Sequence, residues 1–264
     1  MHDPLGRPIE AGYALIRDGS EAIVEVAAAS GLELVEPAER DPERASSAGT
    51  GELIMAAVAQ GVRRILVAAG DSATTDAGRG AIDAIEAAGG LRDTRLEVLC
   101  DTSIPFERAA EVFAPQKGAS PEQVQRLTSR LVAEAGALPR DPRGRALTGA
   151  AGGLSGGLWG AFGAHLVPGA AVVLGLVGFD RRLEDADAVI TGEGRLDAQS
   201  REGKLVGEVA RRCRAAGVPA HAIAGQVAIS AEEVARFGFA SVEEAGSPEP
   251  IADAAERIAT FGRR

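Results

Sequence analysis

Apolar residues in this chain fall into short runs, each stopped by a cluster of glycine, hydroxyl and acidic residues, and two periodicities alternate along it. Tyr13-Ala14-Leu15-Ile16 and Ala22-Ile23-Val24-Glu25-Val26 predict a two-stranded hairpin over Arg17-Asp18-Gly19-Ser20. A helix is expected over 52–60, closed by Gly61, and then Ile65-Leu66-Val67-Ala68-Ala69 reads as a buried strand. Ile82 and Ile85 begin a helix that Gly89-Gly90 ends, and Arg95-Leu96-Glu97-Val98-Leu99-Cys100 is the next strand. Ser120-Pro121-Glu122-Gln123 is a capping box with proline at the first helical position, and Val124, Leu127, Leu131 and Val132 form the inner face behind it. Residues 137–147 are a polar surface connection. Beyond it, Ala186-Asp187-Ala188-Val189-Ile190 predicts a strand, Val206, Val209, Ala210 and Cys213 one helix face ended by Gly217, and 218–224 another strand. A helix capped at Ser230, a short strand Ala240-Ser241-Val242 and a helix carrying Ile251, Ala255 and Ile258 complete the alternation. Strand and helix in turn predict an α/β fold, with a half of a doubly wound parallel sheet in the last part.

Two strand–loop–helix junctions carry the chemistry. In open α/β sheets, ligands bind beyond the carboxyl ends of the strands, where backbone N–H groups and helix N-termini face solvent. Thr191-Gly192-Glu193-Gly194-Arg195-Leu196-Asp197 through Lys204 follows the strand ending at Ile190, and Glu193, Asp197 and Lys204 stand in that position. Gly70-Asp71-Ser72-Ala73-Thr74-Thr75-Asp76 follows the strand ending at Ala69 and has the same character. Hydroxyls there can donate to substrate oxygens, and Asp71 and Asp76 can orient a hydroxyl or hold Mg²⁺ through water. An N-capping loop uses the same residue types. The run Gly149-Ala150-Ala151-Gly152-Gly153-Leu154-Ser155-Gly156-Gly157 leaves two readings open, a backbone cradle for an anion and close packing of helices through glycine.

Composition narrows the classes. Among 28 basic residues only Lys117 and Lys204 are lysines, so the chain places a compact, flexible point charge at two positions where arginine would serve as an ordinary surface cation. The net charge of −10 argues against nucleic acid or an anionic membrane as partner, and no run is apolar and long enough to span a bilayer. The opening residues form no signal peptide, and Cys100 and Cys213 are too few for a disulfide framework, so a reduced, cytoplasmic protein is expected. His2, His165 and His221 have no ligand spacing, which speaks against a transition-metal site or a histidine triad.

Over nearly its full length the chain resembles the type 1 glycerate kinases. The resemblance rests on residues 24–32, Gly49-Thr50-Gly51-Glu52-Leu53-Ile54, Ser72-Ala73-Thr74-Thr75-Asp76, Val112-Phe113-Ala114-Pro115-Gln116-Lys117-Gly118-Ala119, Gly149-Ala150-Ala151-Gly152-Gly153 and, most specifically, the stretch from Thr191 to Gln199. It implies ATP-dependent phosphorylation of D-glycerate with Mg²⁺, on two α/β domains of which one is inserted into the other. On that basis residues 1–175 are the inserted, substrate-side domain and 176–264 the C-terminal half of a Rossmann-like domain. Asp197 is expected as base or orienter of the glycerate hydroxyl, and Lys204 as the neutraliser of the transferring phosphate. Gly70, Ser72, Thr74 and Arg195 would grip glycerate; Gly152, Gly153, Gly192 and Lys117 would hold nucleotide or phosphate; Glu193 or Asp76 would hold Mg²⁺ through water.

The chain also departs from the family's pattern. Asp71 stands where the resembling motif has glycine, residues 103–106 replace an Asn-Pro-Leu turn, and the segment between Gly90 and Arg95 is short. Family members carry an Asp-Ser-Phe-Lys-Gly loop ahead of the Asp-Pro-Leu-Gly segment at which this chain opens. The resemblance therefore implies a second sheet without its N-terminal complement, with either a homodimer through the uncovered edge or marginal stability, and low kinase activity. A non-catalytic relative that binds a small carboxylate or a partner chain is the alternative.

Overall fold

The computed structural model describes residues 1–197, 200 and 205–261, and the chain divides into two compact units, Met1–Pro168 and Gly169–Arg264. The division falls seven residues before the expected boundary at 175. Gly169–Leu176 is an apolar helix, and its Leu174 is buried with Leu183, Val209, Cys213 and Ala220 of the second unit.

The first unit runs β1 (Ala14–Ile16), β2 (Glu21–Glu25), α1 (Ala27–Ser30), α2 (Ala48–Ala59), β3 (Arg64–Ala69), α3 (Arg79–Ala87), β4 (Arg95–Cys100), α4 (Ala109–Phe113), α5 (Pro121–Ala137), α6 (Leu154–Phe162) and β5 (His165–Pro168). Its sheet has the order β1-β2-β3-β4-β5, with β1 antiparallel and the rest parallel. The hairpin turn holds Arg17, Asp18 and Gly19 at positive φ. One sheet face, Ala22 and Val24 with Ile65, Val67, Leu96 and Val98, is buried against the apolar faces of α2, α3 and α6. The capping box of α5 forms in both directions between Ser120 and Gln123. Its inner face is Leu127, Leu131 and Ala135, whereas Val132 is exposed, because the helix packs one turn along the 127–131–135 row. The helix expected from 52 begins four residues earlier, at Ala48.

The second unit continues with α7 (Gly169–Leu176), α8 (Phe179–Leu183), β6 (Val189–Leu196), α9 (Leu205–Ala216), β7 (Ala220–Val227), α10 (Ala231–Phe237), β8 (Ser241–Glu244) and α11 (Pro248–Phe261). All three strands are parallel, in the order β6-β7-β8. Alternation along β7 separates the two faces: Ala220 and Ala224 pack with residues of α9 and α10, and Ile223 packs with Ala254 and Ile258 of α11. The expected face of α9 is the buried one.

β6 corrects the sequence reading. The strand does not stop at Ile190; it pairs with β7 through Leu196, so Gly192, Glu193 and Arg195 are strand residues and not loop residues. A Cβ on Gly192 would stand 2.8 Å from the Ile223 carbonyl oxygen, a close approach within the sheet. Among the described residues no helix is long and apolar enough to cross a membrane.

Candidate active site

In the first unit, a cavity of about 180 Å³ opens beyond the carboxyl ends of the parallel strands. Ala69 ends β3 and Gly70, Asp71 and Ser72 follow it, Asp101 follows β4, Leu32 follows α1, and Phe113, Gln116, Lys117, Ala151 and Gly152 complete the wall. Three loops hold this shape. The loop after β3 is pinned on one side by Leu32 N–H to the Asp71 carbonyl (2.8 Å) and Ala73 N–H to the Ser30 carbonyl (2.9 Å). On the other side Ala77 N–H donates to the Gly152 carbonyl (3.2 Å).

Tight backbone is concentrated here. Asp71, Ala77 and Ala151 all have positive φ, a region that L side chains rarely enter and that clusters at functional sites. Gly152 is required outright: with φ +65° its Cβ would lie 2.0 Å from the Thr74 carbonyl oxygen. This settles the glycine run largely in favour of packing. Gly153 faces Phe106 and Leu131, Gly156 faces Phe106, and Gly157 faces the Ala77 carbonyl. Only Ala151 and Gly152 of the run reach the cavity.

Lys117 is the centre of the site. A 3-10 turn, Pro115–Lys117, leaves α4 and closes at Gly118 with φ +95°, which folds the lysine inward. The side chain is buried, with residue exposure of 3%, and Nζ donates to Ser72 Oγ (2.9 Å) and to the Thr74 carbonyl (2.5 Å). Burial draws the amine down to about 8, although the carboxylates of Asp76 and Asp101 pull the other way. An ammonium has three N–H donors, so two bonds within the chain leave one.

The structure thus brings Gly70, Ser72, Lys117 and Gly152 to one cavity and gives other expected residues different work. Asp76 is not available as a metal ligand, since its buried carboxylate accepts from Ser47 N–H (2.9 Å), Ser47 Oγ (2.8 Å), Gly78 N–H (3.2 Å) and Gly80 N–H (3.2 Å). Ser47 Oγ in turn accepts from Ala81 N–H (3.0 Å), so Asp76 ties the start of α2 to the start of α3. Thr74 is fully buried and supports Lys117 through its carbonyl, away from the cavity wall; Gly153 is a packing glycine. In the second unit, Glu193 and Gly192 line a shallower groove beside Ile223 and Ile251. Arg195 and Asp197 stand at the end of β6 with Nε and Oδ2 4.0 Å apart, and Asp197 N–H donates to Ser200 Oγ (3.1 Å). Lys204 lies outside the described residues.

Asp101, Gln116 and Leu32 were missed as wall residues. Asp101 had a signal: it ends an apolar strand run just as Gly70 does, and strand ends converge in a parallel sheet. Gln116 had only its place beside Lys117, and Leu32 none.

A sequence model described as the glycerate kinase family matches residues 1–89 and 81–260. The glycerate kinase of Bacillus subtilis (strain 168) is 36% identical over 300 residues, covering 99% of this chain and 78% of that protein. The glycerate 2-kinase of Escherichia coli (strain K12) is 34% identical, covering 90% of this chain and 72% of that protein. Among solved structures, the crystal structure of a chain assigned as glycerate kinase 2 from Salmonella typhimurium LT2 superposes with a TM-score of 0.72 at 34% identity, covering 99% of this chain and 79% of that one.

Proposed function

This chain belongs to the glycerate kinase family, and from that premise we propose that it transfers the terminal phosphoryl group of ATP to a hydroxyl of D-glycerate, in a cytoplasmic setting. The observation that carries the reading is the first-unit cavity, in which a buried ammonium and a serine hydroxyl stand beside two carboxylates. In phosphoryl transfer the protein mainly positions groups and balances charge. Lys117 would meet the glycerate carboxylate with its third N–H. Ser72 Oγ, which accepts from Lys117, retains its own O–H to donate to a substrate oxygen. Asp71 and Asp101 are acceptors for the substrate hydroxyls.

The residues present fit a magnesium ion. Mg²⁺ keeps several waters and takes one or two protein carboxylates together with substrate phosphates. Asp71 and Asp101 are carboxylates at the cavity, and no gathering of three or more His, Cys, Asp or Glu side chains suited to a metal occurs among the described residues. When bound, the ion would neutralise charge on the phosphate oxygens. For the second unit we retain Asp197 as orienter of the hydroxyl, Arg195 as a carboxylate contact and Glu193 as a further Mg²⁺ holder through water. Lys204 and Gly192 keep their phosphate roles. Among the described residues β6 pairs with β7 alone, and its outer edge, on the strand that carries the exposed Ile190, is assigned to pairing with a second copy, to be read by sedimentation.

A coupled ATP/D-glycerate assay tests the reading. Turnover is expected, and Lys117→Met should lower kcat/KM by about a hundredfold or more. The charge of Asp71 opposes the multiply charged phosphate groups of the nucleotide, which favours reduced activity and with it the non-catalytic alternative. Binding of D-glycerate without turnover would select that alternative, and neither binding nor turnover would refute both.

A further inference from the structure

We propose that Asp71 is a specificity-determining residue: its carboxylate makes the first-unit cavity accept a three-carbon acid bearing one negative charge and turn away acids bearing two or more. The proposal rests on the reading of that cavity as the glycerate site, and it concerns a residue that departs from the pattern the chain otherwise resembles.

Charge and geometry carry it. The ionisable wall consists of one cation, Lys117, and two carboxylates, Asp71 and Asp101. Lys117 is buried and already donates twice, so one N–H remains for a ligand anion. Asp71, by contrast, is exposed on the wall, and its backbone is held at φ +52° by the bond from Leu32 N–H to its carbonyl. A side chain in the left-handed region at a strand end cannot rotate its backbone away without breaking that tie. One carboxylate of a ligand can therefore sit on Lys117, and what remains of the ligand meets two carboxylates and the neutral donors of Ser72 and Gln116, with no second cation. Hydroxyl groups satisfy acceptors by donating to them. A second carboxylate or a phosphate adds like charge beside Asp71, and the wall offers no second cation to compensate it. The same repulsion would act on a phosphorylated product, favouring its departure.

The test is direct binding by calorimetry in EDTA, so that no divalent ion bridges the anions. The ligands are D-glycerate and tartronate, which has the same carbon count and a second carboxylate. Asp71→Asn removes the charge and keeps the shape; Asp71→Gly removes the side chain at a φ that glycine adopts without cost, so neither variant threatens the fold. The wild type should prefer D-glycerate to tartronate by about tenfold or more, the order expected for one like charge a few ångströms away across well-hydrated surroundings. Both variants should bring that ratio close to one by tightening tartronate, and added salt should shrink the wild-type ratio alone. An unchanged ratio in Asp71→Asn overturns the proposal, as does a change confined to Asp71→Gly, which would make backbone freedom the cause. Failure of all three proteins to bind either acid would instead bring down the glycerate reading of the cavity and this inference with it.

Discussion

The polar groups of the first-unit cavity are held from several directions, whereas Arg195, near the end of β6 in the second unit, is largely exposed. Lys117 is 3% exposed and bonded to two partners, and the loop carrying Ser72 is tied to the residues around Ser30 and Gly152. The side chains of Arg195 and Asp197 are 62% and 31% exposed, 4.0 Å apart. The first arrangement is paid for in folding, through a buried charge and strained backbone, so it is preorganised before any ligand arrives. In the second, the Arg195 side chain is mostly in solvent, and a ligand would have to order it.

The sharpest way to break this contrast is at Asp76. Asp76→Ala strips the acceptor from two buried and one partly buried backbone N–H groups and from a buried hydroxyl, and should cost about 3 kcal/mol or more. Each unit carries one buried cysteine, Cys100 in the first and Cys213 in the second, and burial pushes the Cys100 thiol up to about 12. Thiol labelling therefore reports opening of each unit separately: Asp76→Ala should speed labelling of Cys100 and leave Cys213 unchanged. Equal acceleration at both would mean the units do not open independently.

Gly152→Ala is next in size. Its Cβ would overlap the Thr74 carbonyl that receives Lys117, and the strain should cost about 1–3 kcal/mol in denaturant unfolding. A loss below that range would show the loop able to shift.

The pH dependence sharpens the role of Lys117. Its folded value of about 8 lies below the ordinary 10.5, so between those values the unfolded chain holds the proton more tightly. Stability should rise with pH across that window as the penalty for the buried charge is removed, and Lys117→Met, uncharged throughout, should flatten the rise. Parallel profiles for the two proteins would contradict a buried ammonium.

The smallest effects belong to the second unit. Gly194→Ala meets no atom within 4 Å, and Asp197→Ala removes a partly exposed side chain, so each should change stability by less than about 0.5 kcal/mol. A larger loss would reveal support at β6 comparable to that around Lys117.

The buried apolar runs, the two capping boxes and the amphipathic face of α9 were legible in the residues alone, because burial of an apolar period and local capping bonds depend on neighbours within a few positions. So was the attention drawn to Ser72 and Lys117, through the position of one at a strand end and the rarity of the other. Legible too was the family, carried by motifs spread along the chain. The end of β6 was not: Thr191 to Leu196 has the composition of a loop, and only the backbone of β7 alongside makes it a strand. Nor was the work of Asp76 legible, since a carboxylate in a polar loop looks the same whether it faces solvent or the N-termini of two helices. Which groups converge on Lys117 depended on contacts between residues more than 40 positions apart, and long-range packing of that kind is decided by the tertiary fold.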